Sequence, residues 1–399
     1  MEKIENKFIR YVKIDTESSE NSSTYPSTSK QLILANLLKD ELNNLGLEAE
    51  VDEFGLVYCK IEGDNSKKKI GLIAHMDTAP TLPGGNFEPR FIYNYDGNDI
   101  KLNEKYTLSP KQFPTLKNEI NKTLIVTDGE HLLGGDDKAG IAIIMAICEY
   151  YAKNKDINHA PIRICFTPDE EIGSGADHFD VKKMDADIAY TLDGGETNQI
   201  NYENFNAASC KVQIQGVGIH PGDAKDKMIN AILLSVEFNN LLNPEMIPSK
   251  TEGYQGFNHL EEISGDVENC TMSYILRNHD ENILSQQKES FLKAKETIEN
   301  KYPLAKVNLE IKDQYRNMKY YFDKDDLAIK KIQETYKQLN LHYTSVPIRG
   351  GTDGARITYM GLPCPNLGNG DRLCHGRFEH VVVQEMYEMF EIIKHLLEN

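Results

Sequence analysis

Pro161-Ile162-Arg163-Ile164-Cys165-Phe166 runs directly into Thr167-Pro168-Asp169-Glu170-Glu171-Ile172-Gly173. The first six residues form a short, largely apolar run and read as a buried strand. Three successive acids then stand where that strand must end. Two other runs repeat the plan. Lys69 to Ala74 is apolar and leads into His75-Met76-Asp77, and Ile188 to Leu192 leads into Asp193-Gly194-Gly195. Gly55 to Ile61 reads as a further short strand. Gly140 to Tyr151 is apolar nearly all round, which predicts a buried helix. Ser29 to Leu45 carries Leu34, Leu37, Leu38, Leu42 and Leu45 at helical spacing, with Gly46 at the capping position. Strands alternating with helices predict an α/β layer around a mostly parallel mixed sheet. Ligands of such sheets bind beyond the carboxyl ends of the strands, where these three runs place their polar residues.

The rhythm changes from about Ala208 to Tyr315. Lys211 to Gly216 alternates, Met228 to Leu242 is helical, and Asn258 to Ile263 and Thr271 to Arg277 read as strands. Gln286 to Tyr302 is a charged amphipathic helix, and Val307 to Ile311 alternates again. The order βαββαβ predicts an inserted ferredoxin-like α+β module. The first pattern then returns with helices at Asp325 to Leu339 and Glu385 to Leu397. The expected division is therefore 1–207 and 317–399 as one domain, with 208–316 inserted. The Ser- and Thr-rich stretch Glu17 to Ser29 reads as a surface loop.

Across 399 residues, 62 acidic side chains stand against 44 basic ones, a formal net charge of −18. That balance argues against nucleic acid or an anionic membrane as partner, while leaving room for a small anionic substrate held by a local Arg. The richest apolar run, Ile141 to Ile147, is too short to span a bilayer, and Met1 to Arg10 lacks a signal-peptide pattern. Seven cysteines without a C-x-x-C pair lie mostly in apolar runs, so reduced core thiols and a cytoplasmic chain are expected.

The chemistry concentrates at the strand ends. His75-Met76-Asp77 would let Asp77 take the imidazole proton of His75 and fix its tautomer, although a lone H-x-D is more often structural. Gly134-Gly135-Asp136-Asp137 precedes the buried helix, and either aspartate suits a helix cap or a metal. Asp169-Glu170-Glu171 is costly unless cations neutralise it. On an extended segment the two glutamates would point apart, one toward a metal and one toward a water. Asp193, with glycines that leave room for a substrate, and His375 in the loop Asn369 to Gly376 complete the set. Oxygen and imidazole donors without thiolates suit zinc, with cobalt or manganese as substitutes. No G-x-S-x-G is present to suggest a serine nucleophile.

Longer runs sharpen this reading. Ala74-His75-Met76-Asp77-Thr78-Ala79-Pro80, Asp136-Asp137-Lys138-Ala139-Gly140, Phe166-Thr167-Pro168-Asp169-Glu170-Glu171, His220-Pro221-Gly222, Ile348-Arg349-Gly350-Gly351-Thr352-Asp353-Gly354-Ala355 and His375-Gly376 occur in order along nearly the whole chain. In them the sequence resembles the two-zinc exopeptidase family that includes carboxypeptidase G2 and the acetylornithine deacetylases, in its tripeptide aminopeptidase branch, the peptidase T group. The resemblance implies a zinc-exopeptidase-like catalytic domain with an inserted lid. It further implies one zinc on His75, Asp136 and Asp193 and a second on Asp136, Glu171 and His375. Asp136 would bridge, Asp77 would orient His75, and Glu170 would be the general base. His220 resembles the lid histidine that stabilises an oxyanion, across a closing cleft or a dimer interface. Arg277 and Arg349 are candidates to hold the substrate carboxylate. The implied activity is release of the N-terminal residue from short peptides, tripeptides above all. A dipeptidase, an amidohydrolase, or a non-catalytic metal- or peptide-binding relative are the alternatives. Thr81 stands where the family usually carries an acid, Glu196 where glycine is common, and Asp371 to Cys374 lacks the usual tyrosines.

Overall fold

The computed structural model describes residues 1–323 and 326–399. The chain forms two compact units. One comprises Met1–Tyr202, Tyr320–Val346 and Thr352–Asn399, the other Glu203–Lys319 and Pro347–Gly351.

The first unit is built on an eight-stranded sheet. Its strands run Glu48–Val51, Val57–Ile61, Ile162–Thr167, Ile70–His75, Ile188–Leu192, Asn366–Leu367, Gln199–Asn201 and Thr344–Ser345 from edge to edge. Ile70–His75 pairs in parallel with Ile162–Thr167 on one side and Ile188–Leu192 on the other. Every residue of these three strands is buried, the expected state of parallel strands covered on both faces. Because the trio is parallel, His75, the Asp169 turn and Asp193 leave the sheet at one edge. Helix Gly135–Lys153 packs against Ile70–His75 and opens at that same edge.

Two parts of this unit go beyond the elements read from the sequence. Helix Ile4–Val12 buries Ile4, Phe8, Tyr11 and Val12 completely. A second, antiparallel sheet joins Asp371–Arg372, His380–Val382, Leu124–Val126 and Arg90–Ile92. Strands of two or three residues are too short for periodicity to register, and pairing alone defines them. The stretch Glu17 to Ser29 is a loop exposed over Glu20 to Thr24, as expected, but it tucks Ser18 and Ser27 into the interior. Helix Leu327–Gln338 is shorter than read from the sequence, and the expected start at Asp325 lies outside the described residues.

The second unit holds the βαββαβ order. Its antiparallel sheet runs Phe257–Gly265, Asn269–Asn278, Asn206–Gln215, Lys306–Tyr315. Helices Ala231–Leu241 and Glu281–Lys301 start at Asn230 and Asp280, whose side chains accept two backbone N–H groups each. Phe238 and Phe291 from these helices meet at 6.0 Å between ring centroids over buried Val212, Met272 and Leu276. The two central strands, Asn206–Gln215 and Asn269–Asn278, alternate between buried and open residues over most of their length, as a sheet with one covered face should.

Candidate metal centre

Asp136 and Asp137 sit at the mouth of helix Gly135–Lys153 with non-helical backbones, after Gly134 in the left-handed region at φ 76°. That backbone turns the neighbouring carboxylates to different tasks. Asp136 Oδ1 lies 2.8 Å from His75 Nε2 and its Oδ2 lies 3.2 Å from His375 Nε2. Asp137 faces the protein instead. Its oxygens accept the amides of His75 (3.2 Å) and Gly140 (3.2 Å) and the side chain of Asn369 (2.8 Å). Asp136 thus faces the two histidines, whereas Asp137 accepts the amide of the first helical turn.

The Asp169 segment is not extended. Asp169 adopts φ 58°, and Glu170–Ile172 forms one 3₁₀ turn. Asp77 receives this turn: its two oxygens accept the amides of Glu170 (2.9 Å) and Glu171 (3.1 Å). Asp77 also faces His75, with Nδ1 3.2 Å from its backbone oxygen and 3.4 Å from its carboxylate. Asp77 therefore contacts a histidine and the amides of a glutamate pair at once. Glu171 Oε2 is 2.8 Å from His375 Nε2, and Asp193 Oδ1 is 3.7 Å from His75 Nε2. Asn366 fixes the Asp193 backbone from both sides, accepting its N–H at 3.2 Å and donating to its carbonyl at 2.7 Å. His375 lies on a loop whose carbonyl accepts a bond of 3.1 Å from the hydroxyl of Thr81.

A further ring of acids stands behind these groups, none of them given a role by the sequence pattern. Glu379, 1% exposed, accepts the amides of Gly134 (2.9 Å) and Asp136 (3.1 Å). Asp371 and Asp353 are also buried, and Asp353 accepts the Thr167 hydroxyl at 2.8 Å. Only burial and distant contacts distinguish these acids from surface ones. Lys138, buried and donating to the Ile14 carbonyl at 3.0 Å, is drawn down to about 8 by its burial.

So many carboxylates around two histidines have electrostatic consequences. Burial pushes Glu170 well above the ordinary carboxylate range despite His75, with Asp193, Asp353 and Glu171 adding to the rise. Burial and Asp136 lift Glu171 to about 7. Burial and Asp136 also raise Asp193. Bonds to Asp136 and Glu171 lift His375 to about 11. Burial would lower His75, but its bonds to Asp136, Asp193 and Asp77 hold it well above its usual value. Burial would raise Asp136, but the two histidines hold it well below. Such a cluster favours bound cations. Ligand-type atoms of His75, Asp136 and Glu171 lie within 4.8 Å of one another, as do those of His75, Asp137 and Asp193 and those of Asp136, Cys374 and His375. Among the described residues, Glu171 Oε1 is one of the buried polar atoms without a hydrogen-bond partner. The donors present fit divalent metal.

Residues 126–399 match the model of peptidase family M20/M25/M40. The chain belongs to this family. It is 48% identical over 403 residues to peptidase T of Caldanaerobacter subterraneus subsp. tengcongensis, covering 100% of this chain and 98% of that one. Its fold is similar to that of aminopeptidase PepT from Bacillus cereus, with a TM-score of 0.78, 22% identity and coverage of 99% and 97%. A Bacillus subtilis protein described as a dinuclear metal binding peptidase from family M20 shares the fold at a TM-score of 0.65 and 12% identity, with coverage of 98% and 96%.

The remaining expected residues of this family member lie in the second unit. His220 is exposed and accepts the Gly222 amide on Nδ1 at 3.1 Å. Arg277 donates to the carbonyls of Ala208 (3.2 Å) and Leu276 (3.0 Å) and stacks over Tyr315. Arg349 donates to the carbonyls of Gly253 (2.6 Å) and Gln255 (2.8 Å) and to Thr251, and lies over Phe205. Arg349 is thus a brace for the 251–255 loop.

Proposed function

We propose that this chain is a metal-dependent aminopeptidase that releases the N-terminal residue from short peptides, tripeptides above all. The observation that carries the reading is the convergence of Glu170 with His75, Asp136, Glu171, Asp193 and His375 at one sheet edge. His75, Asp136 and Asp193 would hold one zinc ion, and Asp136, Glu171 and His375 a second, with cobalt or manganese as substitutes. When bound, such ions polarise a carbonyl and lower the pKa of water. Asp77 orients His75 and fixes the Glu170–Glu171 turn. Glu170, with its affinity for a proton raised by burial, takes the proton of the attacking water and passes it to the departing amine nitrogen. His220 would donate to the oxyanion, and Arg277 and Arg349 would engage the substrate carboxylate.

A cytoplasmic setting fits seven free cysteines, six of them buried, and no described helix is long and apolar enough to cross a membrane. With a net charge of −18, neither nucleic acid nor membrane is an expected partner, and a homodimer through the second unit belongs to the same reading. Zinc-reconstituted protein offered di-, tri- and tetrapeptides should release free N-terminal amino acid fastest from tripeptides. Preference for dipeptides or N-acyl substrates would move the assignment to a dipeptidase or amidohydrolase. Metal binding without turnover would leave a binding protein.

A further inference from the structure

Asp169 is the one acid of the 169–171 turn that the reading above leaves without a task. It is 1% exposed and holds a left-handed backbone, a conformation that aspartate tolerates better than most residues with a Cβ. Its partners come from the N-terminal stretch. Asp169 Oδ2 accepts the Ser27 amide at 2.6 Å, and Oδ1 accepts both the Ser27 hydroxyl and Gln31 Nε2, the latter at 2.6 Å. Gln31 Oε1 in return accepts the Asp169 amide at 3.1 Å. Three successive amides, those of Asp169, Glu170 and Glu171, are thus received by Gln31 and by the two oxygens of Asp77. Gln31 is fully buried and is the first residue of helix Gln31–Asn44, so the clamp is anchored to a rigid element. The same stretch reaches the His75 loop, where Thr78 donates to Thr16 O at 3.2 Å and Ser18 donates to Thr78 O at 3.1 Å.

We infer that Gln31 and Ser27 are positioning residues that set the Glu170–Glu171 turn through Asp169. The stretch from Thr16 to Gln31 ties the two ligand-bearing loops of the centre to each other. Gln31 acts through both ends of its amide, so no apolar isostere replaces it. This inference rests on the metallopeptidase reading.

Gln31→Met keeps the length of the side chain and removes both its donor and its acceptor. A misplacement of about 1 Å at a reacting group costs on the order of 10²-fold in rate. Gln31→Met should therefore lower kcat about 10²-fold, with KM within about threefold of wild type. It should also alter the visible absorption of the cobalt-loaded protein, because Glu171 moves with Glu170. Ser27→Ala, which removes one of the Asp169 bonds, should cost about tenfold, and Glu20→Ala on the exposed part of the stretch should match wild type. Gln31→Met with wild-type kcat and an unchanged cobalt spectrum overturns the inference. If Gln31→Met fails to fold, Ser27→Ala decides it by the same two measurements: a tenfold loss with an altered spectrum supports the clamp, and wild-type values overturn it. Wild-type cobalt protein that hydrolyses no peptide would sink the functional reading instead, and the spectral comparison would still decide the clamp.

Discussion

Helix Gly135–Lys153 carries buried acid at both ends, and the two ends treat it in opposite ways. Near the carboxyl end, Glu149 is paired: its side chain is 5% exposed and lies 3.0 Å from Lys7 and 2.6 Å from Lys153, with the Glu2 amide added. Burial alone would raise this carboxyl, yet those partners bring it down to about 2. At the amino end, Asp136 meets Glu171, Asp193, Asp371 and Glu379, with two histidines, the buried Lys138 and Arg372 beside Asp371 as the nearby cations. A balanced cluster is structure. An unbalanced one, kept at the expense of stability, marks a place for a ligand.

The comparison breaks first at Asp136. Asp136→Ala should lose both equivalents of metal and all measurable turnover, whereas His375→Ala should chiefly lose one, as elemental analysis would read. Two equivalents retained by Asp136→Ala would refute the ligand assignment. Next in size, Glu170→Gln should lower turnover by about 10²–10⁴-fold. Its thermal midpoint should hold or rise, because a carboxyl that burial disfavours becomes neutral. Turnover within tenfold of wild type would remove Glu170 from the mechanism.

The opposite end should respond in the opposite sense. Glu149→Gln leaves Lys7 and Lys153 short of their acid and should cost about 3 kcal/mol of stability near neutral pH, with metal content unchanged. Because the folded carboxyl lies near 2 against an ordinary 4.5, its contribution is complete above pH 4.5 and is lost as pH falls toward 2. The gap between wild-type and variant melting temperatures should therefore narrow on acidification, and a gap that widens would show the pairing to be irrelevant. The smallest effect concerns the contact joining the helix to the sheet. A Cβ on Gly140 would stand 2.0 Å from the Leu192 carbonyl and 2.4 Å from Asp137 Oδ1. Gly140→Ala should cost about 1–3 kcal/mol, read by thermal or denaturant unfolding, and a neutral result would mean that the helix tolerates displacement there.

The sequence by itself determined the layer plan and the neighbourhood of the chemistry. Apolar runs ending in His75, Asp169-Glu170-Glu171 and Asp193 announce strands whose carboxyl ends carry polar groups, because burial on both faces demands continuous hydrophobicity. The alternation in Lys211 to Gly216 and the helical spacing in Gln286 to Tyr302 announced the second unit for the same local reason. The local pattern left open which of two adjacent aspartates faces the histidines, and only the family resemblance pointed to Asp136. Tertiary structure supplies the physical cause, the backbone turn at Gly134 and the reach of Asn369 that divide Asp136 from Asp137. It also brought Glu379 to an amide 245 residues away and Gln31 to an acid 138 residues away. Local sequence records whether a segment prefers to be buried or helical. Which distant hydrogen-bonding group meets it depends on how the layers pack, and no short-range pattern carries that information.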